Sequence, residues 1–153
     1  MENKIFIGID PGWSGAVAYY SSEYNFQTYS KCPGNIGAMS ELIKTIKRNN
    51  NSCYAVLEKV HSFPKQGVAS TWTFAENFGA WQGILEAHKI KYTLTDPRQW
   101  QKFILGRFIP GHSKEASLAR ARENYPALIM QIGKNHNIAD ALNLLTYCKM
   151  IYG

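Results

Sequence analysis

Residues 5–20 read IFIGIDPGWSGAVAYY. Ile5, Phe6 and Ile7 lead through Gly8 and Ile9 to one carboxylate, Asp10. Pro11, Gly12, Ser14 and Gly15 follow, and then a second apolar run from Ala16 to Tyr20. Two apolar runs around a Pro- and Gly-bearing turn predict a β-hairpin with strands over 4–10 and 15–20. The hairpin ends its first strand on an acid, in a chain whose only aspartates are Asp10, Asp96 and Asp140. A carboxylate framed by apolar strands calls for a reason.

Working outward, a third strand is expected at Phe26–Ser30. After the Cys32-Pro33-Gly34 break, Ile36, Met39, Leu42, Ile43 and Ile46 recur at helical spacing, predicting a helix over about 37–49 that ends in Asn49-Asn50-Asn51. CYAVLE (53–58) is a short apolar strand closing on Glu58, and the Pro and Gly of HSFPKQG (61–67) make a loop. Residues 69–88 form a long helix whose Gly79, Ala80 and Gly83 suggest the close approach of another backbone. A strand at 92–95 precedes Asp96-Pro97, an N-cap with proline at the first helical position, opening a helix to about Leu105. Further helices are expected at 113–125 and 138–150, with Asp140 in the first turn of the last. The order β-β-β-α-β-α-β-α-α-α implies a five-stranded mixed sheet flanked by helices, an α/β fold.

Bulk properties narrow the class. The chain has 153 residues, enough for one domain with its own core, and 45% of them are hydrophobic, which excludes a disordered chain. No apolar run approaches the ~20 residues of a membrane span, and M-E-N-K leading straight into a strand shows no targeting segment, so a cytoplasmic protein without membrane contact is expected. Cys32, Cys53 and Cys148 are widely spaced, arguing for reduced thiols over disulfides or a zinc knuckle. The net charge of +6 is concentrated between Lys89 and Arg122, where eight basic residues face only Asp96 and Glu115. Such a localised basic field suggests a polyanion partner.

Asp96 has a structural duty as a helix cap. Asp10 and Glu58 end strands, and Asp140 lies within NHNIADALNLL; each has apolar neighbours. Burying three like charges together is costly unless cations compensate them. A pair of Mg2+ ions would do so, since magnesium takes hard oxygen ligands and keeps positions open for phosphate. Two such ions can stabilise both oxygens of an in-line phosphoryl displacement. No GxSxG, GxxxxGK[ST] or HExxH motif offers a competing chemistry, and the DPGWSG turn lacks the following helix of a dinucleotide cradle.

IGIDPGWSGAVAYY, VLEKVHSFPKQG with the helix ending GAWQGIL, DPRQWQKF…GHSKEASLARAREN and NHNIADALNLL together resemble the RuvC family of Holliday junction resolvases, especially its compact phage-type members. The resemblance covers nearly the whole chain and implies an RNase H-like fold. It implies a homodimer, paired through helix 69–88, that nicks four-way DNA junctions symmetrically with two Mg2+ per site, Mn2+ substituting. Asp10, Glu58 and Asp140 would be the metal-binding catalytic carboxylates. The family's fourth acidic position falls on His136 or Asn137, with His136 preferred as a further ligand and catalytic residue. Lys102 and Lys114 match basic positions near the scissile phosphate, Lys114 in a catalytic role. His61 or Phe63 would stack on an unpaired base, and Lys65, Arg98, Arg107 and Arg120 complete the expected DNA-binding set. The alternatives are a RuvC-fold nuclease of broader branched-DNA taste, cutting forks and flaps, and a catalytically silent junction-binding protein. An actin-like ATPase, suggested by the DPGWSG turn, would need a second lobe for which 153 residues leave no room.

Overall fold

The computed structural model describes residues 2–48, 52–59, 61–106 and 110–153. The expected end of the first helix at 49–51 and the DNA-binding position Arg107 fall outside these residues. In chain order the elements are β1 (Lys4–Asp10), β2 (Ala16–Ser21), β3 (Phe26–Lys31), α1 (Ile36–Lys47), β4 (Ser52–Glu58), α2 (Val68–Ala87), β5 (Lys91–Thr95), α3 (Pro97–Leu105), α4 (Ser113–Asn124), a 3-10 turn (Pro126–Leu128), α5 (Ile129–Ile132) and α6 (His136–Tyr152).

The five strands form one mixed sheet in the order β3-β2-β1-β4-β5. The hairpin pairs antiparallel with Ile5 opposite Ser21 and Asp10 opposite Ala16, and β2 pairs antiparallel with β3. β4 joins β1 in parallel with Ile9 beside Leu57, and β5 joins β4 in parallel with Glu58 beside Thr95. Asp10 and Glu58 therefore end two adjacent central strands, where open α/β sheets characteristically bind ligands.

Alternation along the strands builds a core on each face. Ile5, Ile7, Ile9, Ala55 and Leu57 pack with Met39 and Ile43 of α1 and Trp81 and Leu85 of α2. Phe6 and Val56 point the other way, onto Trp100 of α3, Ala121 of α4 and Ile138, Leu142 and Leu145 of α6. By the same period-two rule Asp10 and Glu58 face the α6 side, as Gly8 does. Gly8 is required there: a β-carbon on it would stand 2.5 Å from the Ala141 carbonyl oxygen and 2.7 Å from the Leu144 carbonyl carbon. The bare strand lets the backbone of α6 lie directly on the sheet, which sets Asp140, the residue before Ala141, beside the end of β1.

Local signals account for the helix starts. Asn35 caps α1 by accepting from the Ala38 N–H at 2.8 Å, and Asp96 caps α3 by accepting from the Arg98 N–H at 3.0 Å. Two differences from the sequence expectation matter. The short α5 (Ile129–Ile132) lies between the helices expected at 113–125 and 138–150, where none was expected. α6 begins at His136, two residues early, because Asn135 caps it by accepting from the N–H groups of Asn137 and Ile138. Asp140 is consequently the fifth helical residue and sits beyond the first turn. The field of the helix N-terminus falls off within that turn, so helix-dipole stabilisation is not its reason for being there. All three cysteines are free, and no helix among the described residues is long and apolar enough to cross a membrane.

Candidate active site

Three carboxylates converge at the carboxyl ends of β1 and β4. Asp10 is 7% exposed, and its Oδ2 is buried with no hydrogen-bond partner among the described residues. Glu58 and Asp140 are partly buried. Each of the latter two is held by one neutral donor from a neighbouring helix. The Trp100 indole Nε1–H of α3 donates to Glu58 Oε2 at 2.5 Å. The buried Ser117 hydroxyl of α4 donates to Asp140 Oδ1. Asn143, one turn after Asp140, holds Ser117 in turn, its Nδ2 donating to Ser117 Oγ at 2.9 Å and to the Ser117 carbonyl at 3.0 Å.

The acids feel one another. Burial, followed by the charges of Asp140 and Glu58, holds the Asp10 carboxyl well above the ordinary carboxylate range. Burial raises Glu58 to about 7; the Trp100 hydrogen bond opposes the rise, while the charges of Asp140 and Asp96 add to it. Burial raises Asp140 to about 6, against the Ser117 hydrogen bond and the Lys114 charge. Desolvated like charges without a cation retain protons, and a divalent cation removes that penalty. Hard oxygen donors, one of them an orphaned buried oxygen, fit Mg2+ or Mn2+ chemically. Among the described residues, no group of three or more His, Cys, Asp or Glu side chains is placed to hold a metal ion by itself. Magnesium does not require one: it is commonly held by one or two carboxylates, with water and phosphate oxygens filling the remaining positions.

The turn carrying Asp10 is fixed from several sides. Gly12 has φ +110°, a left-handed conformation that suits glycine, and the Gly15 N–H closes the turn on the Gly12 carbonyl at 2.9 Å. Asn137 Nδ2 donates to the Ser14 carbonyl at 2.9 Å, tying the start of α6 to this turn. The turn opens onto a cleft of about 420 Å³, walled also by Ser70, Thr73 and Phe74 of α2 and by Asn137.

The other expected site residues divide. His136, the first residue of α6, is partly buried, and burial together with the Lys114 charge lowers its pKa. Lys114 is exposed at the start of α4, and its charge reaches both His136 and Asp140. Lys102 is also exposed, one position beyond the buried Gln101 on α3. His61 turns back to the domain: its Nε2 lies 3.3 Å from Asp96 Oδ2. Phe63, two residues on, is 72% exposed. Lys65 and Arg98 are exposed, and Arg120 pairs with Glu123 on its own helix at 3.5 Å.

Sequence reasoning missed Trp100, Ser117 and Asn143 as parts of this site. Their one signal was a hydrogen-bonding side chain at a helix position that faces the core.

No protein-family model matches the chain, and no curated protein matches it in sequence. Solved structures do. Thermus thermophilus RuvC in complex with a Holliday junction substrate is similar at 13% identity, over 95% of this chain and 96% of that one, with a TM-score of 0.62. Thermus thermophilus RuvC is similar at 16% identity over 95% and 96% of the two chains, with a TM-score of 0.59. The Fowlpox virus resolvase in complex with substrate Holliday junction DNA is similar at 17% identity over 95% and 99%, with a TM-score of 0.51. At these identities the likeness is one of fold, and it runs nearly end to end: the chain has the RNase H-like α/β fold in the form carried by RuvC.

Proposed function

We propose that this chain is a divalent-metal-dependent endonuclease that resolves four-way DNA junctions. The observation that carries the reading is the convergence of Asp10, Glu58 and Asp140. Three desolvated acids lie at the ends of adjacent central strands and on α6, and the Asp140 charge raises the pKa of both Asp10 and Glu58. The fold supports it, since two of its structural neighbours are resolvases seen with Holliday junction DNA.

In this reading Asp10, Glu58 and Asp140 hold Mg2+, and His136, its pKa lowered toward the neutral form, offers a further nitrogen. The bound ions would supply water activation and charge stabilisation for hydrolysis of a phosphodiester, leaving 5′-phosphate and 3′-hydroxyl ends. Trp100 and Ser117 keep Glu58 and Asp140 in fixed rotamers. Lys114 stands beside Asp140 as a cation for the phosphate that reacts. Phe63 is the exposed aromatic placed to stack on an unpaired base, with Lys65, Arg98, Lys102 and Arg120 contributing to the basic surface for the backbone.

A two-fold dimer would give the paired nicks a junction needs. Helix α2 offers a face for it: Trp72 is 74% exposed, and among the described residues nothing beyond the neighbouring backbone of α2 itself lies within 4 Å of a β-carbon built on Gly79 or Gly83. Incubating the protein with labelled four-way junction, fork, flap and linear duplex, each with and without Mg2+, tests the reading. Symmetric Mg2+-dependent nicks confined to the junction are expected. Equal cutting of forks and flaps would replace junction resolution with a broader branched-DNA activity, and binding without any cleavage would refute a nuclease.

A further inference from the structure

Helix α2 reaches the Asp10 turn through a side chain with no obvious reason to be buried. Asn77 is 0% exposed, in a core otherwise formed by Trp81, Ile84 and Leu85 of the same helix. Its Oδ1 accepts from the Gly12 N–H at 2.6 Å, a contact spanning 65 residues of sequence. Its Nδ2 points to Cys32 Sγ at 3.5 Å, on the segment that follows β3. One turn earlier on α2, Phe74 lies over the same glycine: a β-carbon on Gly12 would stand 2.7 Å from the Phe74 ring.

Gly12 is two residues after Asp10, in the turn beyond the last β1–β2 pair, so its N–H has no place in the strand ladder. That donor needs an acceptor when buried, and Asn77 is the acceptor it finds. Burying the carboxamide costs its desolvation, which an apolar side chain would not incur. What it supplies is a fixed position for the turn that delivers Asp10, whose Oδ2 has no hydrogen-bond partner among the described residues.

We infer that Asn77 is a positioning residue of the metal site: by accepting the Gly12 N–H it holds the Asp10 carboxylate where a divalent cation can use it. The inference rests on the reading of Asp10 as a metal ligand, and Asn77 would act through the backbone, since its hydrogen bonds run to the Gly12 N–H and to Cys32. Residues that orient a ligand this way commonly matter about 10- to 100-fold in metal affinity.

The test uses the full chain and two near-isosteric variants, Asn77→Leu, which removes the acceptor, and Asn77→Asp, which keeps one. Amide hydrogen exchange of Gly12 is followed by NMR, and Mn2+ binding to the metal-free protein by calorimetry. Junction binding without divalent metal serves as the check on the DNA surface. In the wild type the Gly12 amide is expected to be protected like a core amide. In Asn77→Leu its exchange rises at least about tenfold and Mn2+ affinity falls about tenfold, with metal-free junction binding unchanged. Asn77→Asp restores Gly12 protection. A Gly12 amide that exchanges like an exposed loop in the wild type overturns the inference whatever the variants do. So does an Asn77→Leu protein whose Mn2+ affinity stays within twofold. If the wild type binds no Mn2+ while Gly12 is protected by Asn77, the metal-site reading fails and the inference with it, but the clamp on the turn stands.

Discussion

Gly8 of β1 and Ala141 of α6 lie in backbone contact, so close that a β-carbon on Gly8 would stand 2.5 Å from the Ala141 carbonyl oxygen. This one contact joins the central strand to the last helix two residues before Asp10 and one residue after Asp140. Gly8→Ala must push α6 off the sheet, because the obstacle is backbone rather than a flexible side-chain end. The expected cost is ~2–3 kcal/mol of stability, read as a lower midpoint in urea denaturation, together with loss of junction cleavage. A variant of unchanged stability and activity would show that α6 does not depend on this approach.

Stability should depend on pH and metal together. An acid whose folded pKa lies above its unfolded value keeps a proton in the folded state that the unfolded state has already lost. Glu58 moves from 4.5 to about 7, Asp140 from 3.8 to about 6, and Asp10 moves in the same direction. In metal-free protein the Glu58 and Asp140 contributions therefore fall as pH rises from about 4 to about 7 and level off above that, a change on the order of a few kcal/mol, with Asp10 acting in the same direction. Added Mg2+ should raise the thermal midpoint at pH 7.5, above the values of Glu58 and Asp140, and do little at pH 4.5. An equal rise at both values, or none at either, would remove the metal from the account.

His61 and Phe63 should separate cleanly. His61 is engaged with Asp96, whereas the Phe63 ring is 72% exposed. Phe63→Ala is expected to weaken junction binding by ~1–2 kcal/mol, roughly tenfold, as loss of one stacked base would. His61→Ala should change it less than twofold. Fluorescence anisotropy with a labelled junction, without divalent metal, measures both, and the opposite ranking would assign the stacking role to His61.

Lys114 is the cation acting on Asp140. Lys114→Ala should lower the single-turnover cleavage rate about a hundredfold while junction affinity falls only a few-fold. A loss confined to affinity would make Lys114 an ordinary phosphate contact.

The parts of this site legible in the sequence are those fixed by short-range signals. Alternating apolar residues and the Pro-Gly turn place Asp10 at the end of β1, and the apolar run 53–58 places Glu58 likewise. Asp96-Pro97 marks the start of α3. What the sequence hid depends on contacts between distant segments. Gly8 reads as a weak spot in a strand until α6 is seen against it. Asn77, Trp100, Ser117 and Asn143 read as helix residues of no special kind, because their partners lie 65, 42, 23 and 26 residues away. The true start of α6 was obscured because the apolar period begins at Ile138, whereas the cap is Asn135. Gly79 and Gly83 suggest the close approach of another backbone, yet among the described residues none outside α2 comes within 4 Å of a β-carbon built on either.

The central claim is that Asp10 holds the metal that makes this chain a nuclease. Its most direct test is cleavage of a synthetic four-way junction by wild type and Asp10→Asn with and without Mg2+, with binding followed in parallel. The account predicts paired nicks by the wild type only when Mg2+ is present, and no detectable nicks by Asp10→Asn despite near-normal binding. Full cleavage by Asp10→Asn, or wild-type cleavage that persists in a chelator, would contradict it.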